Sequence, residues 1–214
     1  MKIGIIIYYN NPLETLKASW IYDSLKSIQK QTEMEYEIFE LDYSGKTKSI
    51  IKTMNFFEKR KCHFHSVYLP SEMEALNFII SETFEKKCDV LFNVNLKDVY
   101  SPLRFETQLK SIEEGFDVVF SNKSNFQVYE NQKTKEKVQI SKYTDNYEMH
   151  KTYIKQQLRK NKDFLPYSVM CLSRECWVKN SPITQNLDEF MKRVLKNKGK
   201  IIITDDYLLY SRII

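Results

Sequence analysis

The run Asn95-Leu96-Lys97-Asp98 sets an amide, an ammonium and a carboxylate within four positions. It follows an apolar stretch, Cys88 to Val94, that reads as a buried strand through Val90, Leu91, Phe92 and Val94. Beyond it, Ser101-Pro102 reads as a helix start, with Ser101 as N-cap and Pro102 at the first helical position. Strand tips that face a helix are where open α/β sheets carry their sites. A carboxylate at such a tip holds a hard cation. A lysine has no acceptor and repels one, but offers its own charge to phosphate oxygens. This tip therefore combines a group that attracts a dication with one that rejects it.

Two further acids, Asp188 and Glu189, stand at the head of an expected helix from Leu187 to Asn197, stopped at Gly199. An acid so placed beside a cleft can take a proton from a hydroxyl. The helix dipole favours acids there without any chemistry, so a solvated pair is the alternative. In Cys62-His63-Phe64-His65, strand alternation puts both histidines on one face and the thiol on the other. Two ligands are too few for a closed zinc site. The four cysteines form no C-x-x-C and read as reduced, mostly buried thiols. Four glycines, Gly4, Gly45, Gly115 and Gly199, exclude a Walker loop, a G-x-G-x-x-G fingerprint and a G-x-S-x-G elbow.

The elements that must position these groups alternate. Strands are expected at 2–8, Tyr36 to Leu41, Phe64 to Leu69, Cys88 to Val94 and Phe116 to Ser121. Helices are expected at Leu13 to Gln31, Ile50 to Lys59 and, behind the capping box Ser71-Glu72-Met73-Glu74, to about Lys87. The order argues for a largely parallel sheet with helices on both faces. The second half is less regular: a polar hairpin over 122–142, a helix over 145–161, a strand over Leu165 to Leu172, and short strands at Lys200 to Thr204 and Tyr207 to Arg212.

The chain has 214 residues, 42% hydrophobic and 29% charged, which is enough for one full core without disorder. No apolar run approaches the roughly 20 residues of a membrane helix, and the N-terminus is a poor signal peptide. The expected location is cytoplasmic. A net charge of +5 permits an anionic partner without demanding one. Lys133, Lys135, Lys137, Lys142, Lys151, Lys155, Arg159, Lys160 and Lys162 make the second half basic. A solvated face is the first reading, docking of an anionic acceptor or lipid-phosphate carrier the second. No aromatic-basic module suggests nucleic acid.

In order and spacing the sequence resembles the family 2 glycosyltransferases, inverting enzymes of the GT-A fold, over nearly its whole length. IIIYYN ends a first strand at Tyr9-Asn10, and Gln31-Thr32 closes the following helix. Glu37 to Gly45, with Asp42-Tyr43-Ser44-Gly45, fills the place of the family's Val-Asp-Asp-Gly-Ser strand. Ala75-Leu76-Asn77 matches a helix with an early asparagine. In CDVLFNVNLKDVYSPLRFETQ, Asn95 and Lys97 occupy the two positions of the metal-binding Asp-x-Asp, and Asp98 matches the acid that often follows. Ser168-Val169-Met170 resembles a strand near the acceptor side, and Asn186 to Phe190 resembles the x-Glu-Asp helix.

The resemblance implies a single-domain α/β/α sandwich with a mostly parallel sheet, 1–98 its nucleotide-binding half and 99–214 its acceptor half. It implies transfer of a sugar from a nucleotide-diphosphate sugar, a UDP-sugar at first expectation, to a glycan, protein or lipid-linked acceptor. Asp188 matches the catalytic base, with Glu189 as fallback. Tyr9, Asp42, Tyr43, Asn77, Asn95 and Lys97 would bind the donor, Tyr9 against the base and Asp42 accepting from a base N–H. Three readings of the lysine are open. Lys97 replaces the metal; Asp98, with Asn95, still holds Mn²⁺ or Mg²⁺; or the chain binds without catalysing. Metal independence is favoured. The alternative to an enzyme is a glycosyltransferase-like domain that binds nucleotide-sugar or glycan, or partners an active transferase. A nucleotidyltransferase is less favoured, because Asn10 to Thr15 lacks a glycine-rich basic loop.

Overall fold

Ile5, Ile6 and Ile7 are all fully buried, so the first strand has no solvent face. Strands covered on both sides read as continuous apolar runs. In the computed structural model, which describes residues 1–31, 34–129, 132–139, 146–160 and 164–212, this strand, β1 (Ile3–Tyr9), is followed by α1 (Pro12–Thr15), α2 (Ala18–Gln29), β2 (Tyr36–Asp42), α3 (Ile50–Thr53), β3 (Cys62–Ser66), α4 (Glu72–Glu85) and β4 (Val90–Val94). Then come β5 (Val99–Tyr100), α5 (Arg104–Glu113), β6 (Val118–Tyr129), β7 (Gln132–Val138) and α6 (Tyr147–Lys160). A 3-10 turn (Tyr167–Val169), β8 (Cys171–Ser173), α7 (Arg174–Asn180), α8 (Leu187–Lys196) and β9 (Ile201–Arg212) complete it.

The strands form one mixed sheet in the order β3-β2-β1-β4-β8-β6-β9-β5, with β7 paired to β6. The ladder from β3 to β4 is wholly parallel, and β6 runs parallel to β9. β8 is antiparallel to both β4 and β6, and so joins the two parallel parts. Helices cover both faces. One core gathers Ile6, Leu41, Ile79, Leu172 and Phe190 under α4 and α8; the other gathers Ile5, Ile7, Leu25, Phe92 and Phe105 under α2 and α5. A Cβ on Gly4 would stand 2.4 Å from Thr83 Cγ2, so the absence of a side chain lets α4 lie close on β1. No helix among the described residues is long and apolar enough to cross a membrane.

Several expected elements differ. The helix expected over Leu13 to Gln31 breaks at Leu16, which is extended, and restarts at Ala18; Thr32 lies outside the described residues. The helix expected over Ile50 to Lys59 is one turn long. Asn55 and Phe57 take left-handed backbone at φ 55° and 58°, which turns Phe56 and Phe57 into the core. The third strand begins two residues earlier, at Cys62. Ser101 is not an N-cap: its N–H bonds Leu208 O of β9 at 3.1 Å, and the helix begins at Arg104. Gln31 Oε1 accepts the Phe105 N–H at 3.1 Å in its place, while Gln31 Nε2 donates to Ser101 O at 2.7 Å. The strand expected over Leu165 to Leu172 is mostly the 3-10 turn. The two terminal strands are one, irregular in register where it passes Ser121 to Lys123. The capping box at Ser71 forms as expected, with Glu74 N donating to Ser71 Oγ at 3.2 Å. Of the basic residues in the second half, Lys142 and Lys162 lie outside the described residues.

Candidate active site

A cleft of about 850 Å³ opens at the C-terminal ends of β1, β2 and β4, where open α/β sheets bind ligands. Pro12, Thr15, Leu16 and Leu96 line one side, and Met73, Leu76, Asn186 and Leu187 the other. Among the described lining residues Lys97 is the one cation; Glu14 and Glu72 are the acids.

Four of the expected donor-binding residues meet there: Tyr9, Tyr43, Asn95 and Lys97. β1 ends at Tyr9, whose hydroxyl donates to Glu40 Oε1 at 2.6 Å. Burial and the Glu40 carboxylate together push that phenol far above its ordinary pKa, so it stays a neutral donor. Tyr43 is half-buried one residue past β2 and packs against the core under α4 and α8. Asn95 Oδ1 accepts the Lys97 N–H at 3.0 Å, and the Asn95 N–H bonds Tyr100 Oη at 2.7 Å. The lysine thus stands on a small hydrogen-bonded turn rather than a loose tip.

Three expected residues are elsewhere. Asp42 is fully buried, and its oxygens accept from Ser44 N at 2.9 Å, Ser44 Oγ at 2.7 Å, Lys46 N at 2.9 Å and Thr47 N at 2.7 Å. Burial raises its pKa, but the bonds from Ser44 and Thr47 outweigh burial and hold the carboxyl below its ordinary value. That carboxylate organises the loop after β2 and has no face left for a nucleobase. The loop turns at Gly45, φ 70°, where a Cβ would meet the Tyr68 backbone nitrogen at 2.8 Å. Asn77 does not line the cleft; its side chain donates to Ile183 O and accepts from Ile183 N, each at 2.8 Å, and pins the chain before α8 to α4. Asp98 is fully buried, outside the cleft lining, in the electrostatic field of the buried Arg104. Burial pushes that guanidinium down to about 10, which leaves it charged at neutral pH. Arg104 donates to Asn93 O at 2.7 Å and to Gln108 Oε1 at 3.0 Å, and lies 4.5 Å from the Tyr100 ring centroid.

The two expected acids of α8 divide. Asp188 is 8% exposed and takes the Tyr167 hydroxyl as donor. Glu189 lies on the outer side, paired with Lys192 at 2.6 Å. Asn186 caps the helix by accepting from Glu189 N at 2.8 Å. Among the described residues, no group of three or more His, Cys, Asp or Glu side chains converges. A lysine ammonium, an amide engaged with its own turn and a fully buried Asp98 do not fit a dication at the tip of β4.

Sequence reasoning missed Tyr8, Glu72, Asn93 and Tyr167, all of which line the cleft. Strand alternation was the available signal for Tyr8, since it must face the opposite side of the sheet from Tyr9. Burial first, and then the nearby Glu72 charge, raise the Tyr8 pKa well above the ordinary value. Asn93 Nδ2 donates to Tyr167 O at 2.9 Å. Polar side chains from α4, the strand tips and the 3-10 turn therefore share the lining of the cleft.

The fold is GT-A. TarS 1–349 from S. aureus, solved in complex with UDP-GlcNAc, matches 100% of this chain and 59% of its own at TM-score 0.71 and 13% identity. The mannosyltransferase PcManGT from Pyrobaculum calidifontis, in complex with GDP-Man and Mn²⁺, matches 98% of this chain and 56% of its own at TM-score 0.65 and 9% identity. The chain thus spans less than two thirds of either. No protein-family model matches the sequence, and no curated protein matches it. The likeness lies in the fold.

Proposed function

We propose that the protein is an inverting glycosyltransferase that takes its sugar from a nucleotide-diphosphate donor, a UDP-sugar first. The observation that carries this reading is the cleft at the parallel strand ends, walled by Tyr9 and Tyr43, with Lys97 as its one described cation. Residues 1–98 supply the nucleotide side and 99–214 the acceptor side. The base lies against Tyr9 and Tyr43, and the diphosphate against Lys97 and the Asn95 turn. Lys97 neutralises charge on the departing diphosphate without a bound dication. Asp188 receives the acceptor's proton, with Glu189 held in reserve. The acceptor is a glycan, a protein or a lipid-linked sugar.

A second reading, a domain that binds nucleotide-sugar without turning it over, is favoured by one observation: Asp188 does not itself line the cleft. One experiment addresses both. Calorimetric titration of the chain with UDP-, GDP- and dTDP-linked sugars, with Mn²⁺ and with EDTA, should show one donor binding in either condition. The same donor should then lose its sugar to an acceptor or to water. Binding without turnover selects the second reading, and no binding at millimolar donor removes both.

A further inference from the structure

Asp188 reaches the cleft through a hydrogen bond to one of its lining residues. Tyr167 lines the cleft, Asp188 does not, and the Tyr167 hydroxyl donates to Asp188 Oδ1. Tyr167 is held at both its ring and its backbone. Its ring meets Phe120 edge-on with centroids 5.8 Å apart. Its carbonyl accepts from Asn93 Nδ2 at 2.9 Å and from Met170 N at 3.1 Å. Asp188 sits in the first turn of α8, where the helix dipole favours the carboxylate. A general base must come within about 3 Å of the oxygen it deprotonates. In this arrangement Tyr167 is the cleft-lining residue whose hydroxyl holds the carboxylate, and Asp188 itself is not part of the lining.

We propose that Tyr167 is a catalytic residue that relays the acceptor's proton to Asp188; the proposal rests on the glycosyltransferase reading above. The acceptor oxygen bonds the anomeric carbon as the bond from that carbon to the diphosphate breaks, and the electron pair leaves with the diphosphate. The acceptor's hydroxyl proton passes to Tyr167 Oη while the proton already on Tyr167 passes to Asp188 Oδ1. Tyrosine ends neutral, and Asp188 ends as a carboxylic acid that returns its proton to water after the products leave. Because the two transfers are coupled, no tyrosinate accumulates. Transfer from nucleotide-sugar thus places two protons in flight where a directly acting aspartate places one.

The test uses the whole chain and the donor identified by titration. It measures kcat, donor Kd and the dependence of rate on the D₂O fraction for wild type, Tyr167→Phe, Asp188→Asn and the double variant. Each single change should lower kcat by about 10²-fold or more and leave donor Kd within about twofold. The double variant should be no slower than the worse single one, because the two groups act as one unit. The wild-type rate should fall along a curve, not a line, as D₂O rises. Tyr167→Phe with kcat within about threefold of wild type overturns the relay, and so does a linear D₂O dependence. If Tyr167→Phe fails to fold, replacing Tyr167 with 3-fluorotyrosine keeps the size and changes only the acidity; an unchanged rate and pH profile then overturns the relay. An active wild type with an active Tyr167→Phe removes the relay alone, whereas a wild type that binds donor and never releases sugar removes the transferase reading itself.

Discussion

Tyr9 and Glu40 are joined by a 2.6 Å hydrogen bond that links the cleft wall to a carboxylate only 1% exposed. Glu40 also accepts from the Ser49 hydroxyl and from the N–H groups of Ile50, at 2.7 Å, and Ile51, at 3.2 Å. One buried acid therefore fixes a binding-site ring and the start of α3 together. Glu40→Ala would strand several buried donors, each costing about 1–3 kcal/mol. The expected loss is about 3 kcal/mol or more, read as a lower urea midpoint at unchanged m. Tyr9→Phe keeps the ring and should cost about 1 kcal/mol. A Glu40→Ala midpoint equal to wild type would refute this account.

Glu37 supplies a pH prediction. Burial pushes its carboxyl up, but His63 at 2.8 Å, Lys2 at 3.0 Å and Lys61 at 3.4 Å outweigh burial and hold it at about 2. A depressed folded pKa contributes stability that is fully present above the ordinary value of 4.5 and is lost as pH falls toward 2. Urea midpoints for wild type and Glu37→Gln should differ at pH 7 and converge between pH 4.5 and 2. A difference that stays constant across that window would show that the charge has no such part.

The fold was legible where burial leaves no choice of period, as in the isoleucines of β1 and the capping box before α4. It was not legible where tertiary contacts override local pattern. Phe56 and Phe57 continue a helical spacing after Ile50, yet left-handed backbone at Asn55 and Phe57, with no glycine to mark it, folds both rings inward. Asp42 stood at the right strand tip, but backbone amides of the following loop turn back and claim its oxygens. Lys97 and Asp98 are adjacent in sequence and part company in space: one lines the cleft and the other is fully buried. Tyr167 carried no spacing signal, because it reaches the site from a 3-10 turn where a strand was expected.

The two acids of α8 should separate cleanly under mutation. Asp188 takes the Tyr167 hydroxyl, whereas Glu189 pairs with Lys192 on the outer side of the helix. Asp188→Asn should lower turnover by about 10²-fold or more with donor affinity retained. Glu189→Gln should change turnover by less than about twofold, since a part-exposed ion pair contributes about 1 kcal/mol or less. The reverse pattern in steady-state kinetics would transfer the base to Glu189.

Lys97 gives the last prediction. Its backbone N–H is held by Asn95 Oδ1 at 3.0 Å, so Lys97→Ala removes charge from the cleft while the turn that carries it remains. A charge-assisted contact is worth about 1.5–3 kcal/mol, or roughly 10- to 100-fold in affinity. Lys97→Ala should weaken UDP by that factor and uridine hardly at all, as measured by titration. Added salt should weaken UDP binding to wild type more than to the variant, because screening acts on the charge that the variant lacks. EDTA should leave binding and turnover unchanged if the ammonium supplies the countercharge. If EDTA abolishes turnover and Lys97→Ala tightens Mn²⁺, the lysine is an impediment to a metal and not its substitute. The double change Asn95→Asp with Lys97→Asp then discriminates further. It places two carboxylates at the tip of β4, where hard oxygen ligands can hold a dication, and Asp98, fully buried, should neither add to that site nor be needed for it. Mn²⁺-dependent donor binding in the double variant, unaffected by Asp98→Asn, would establish that charge at position 97 decides between the two ways of holding a diphosphate.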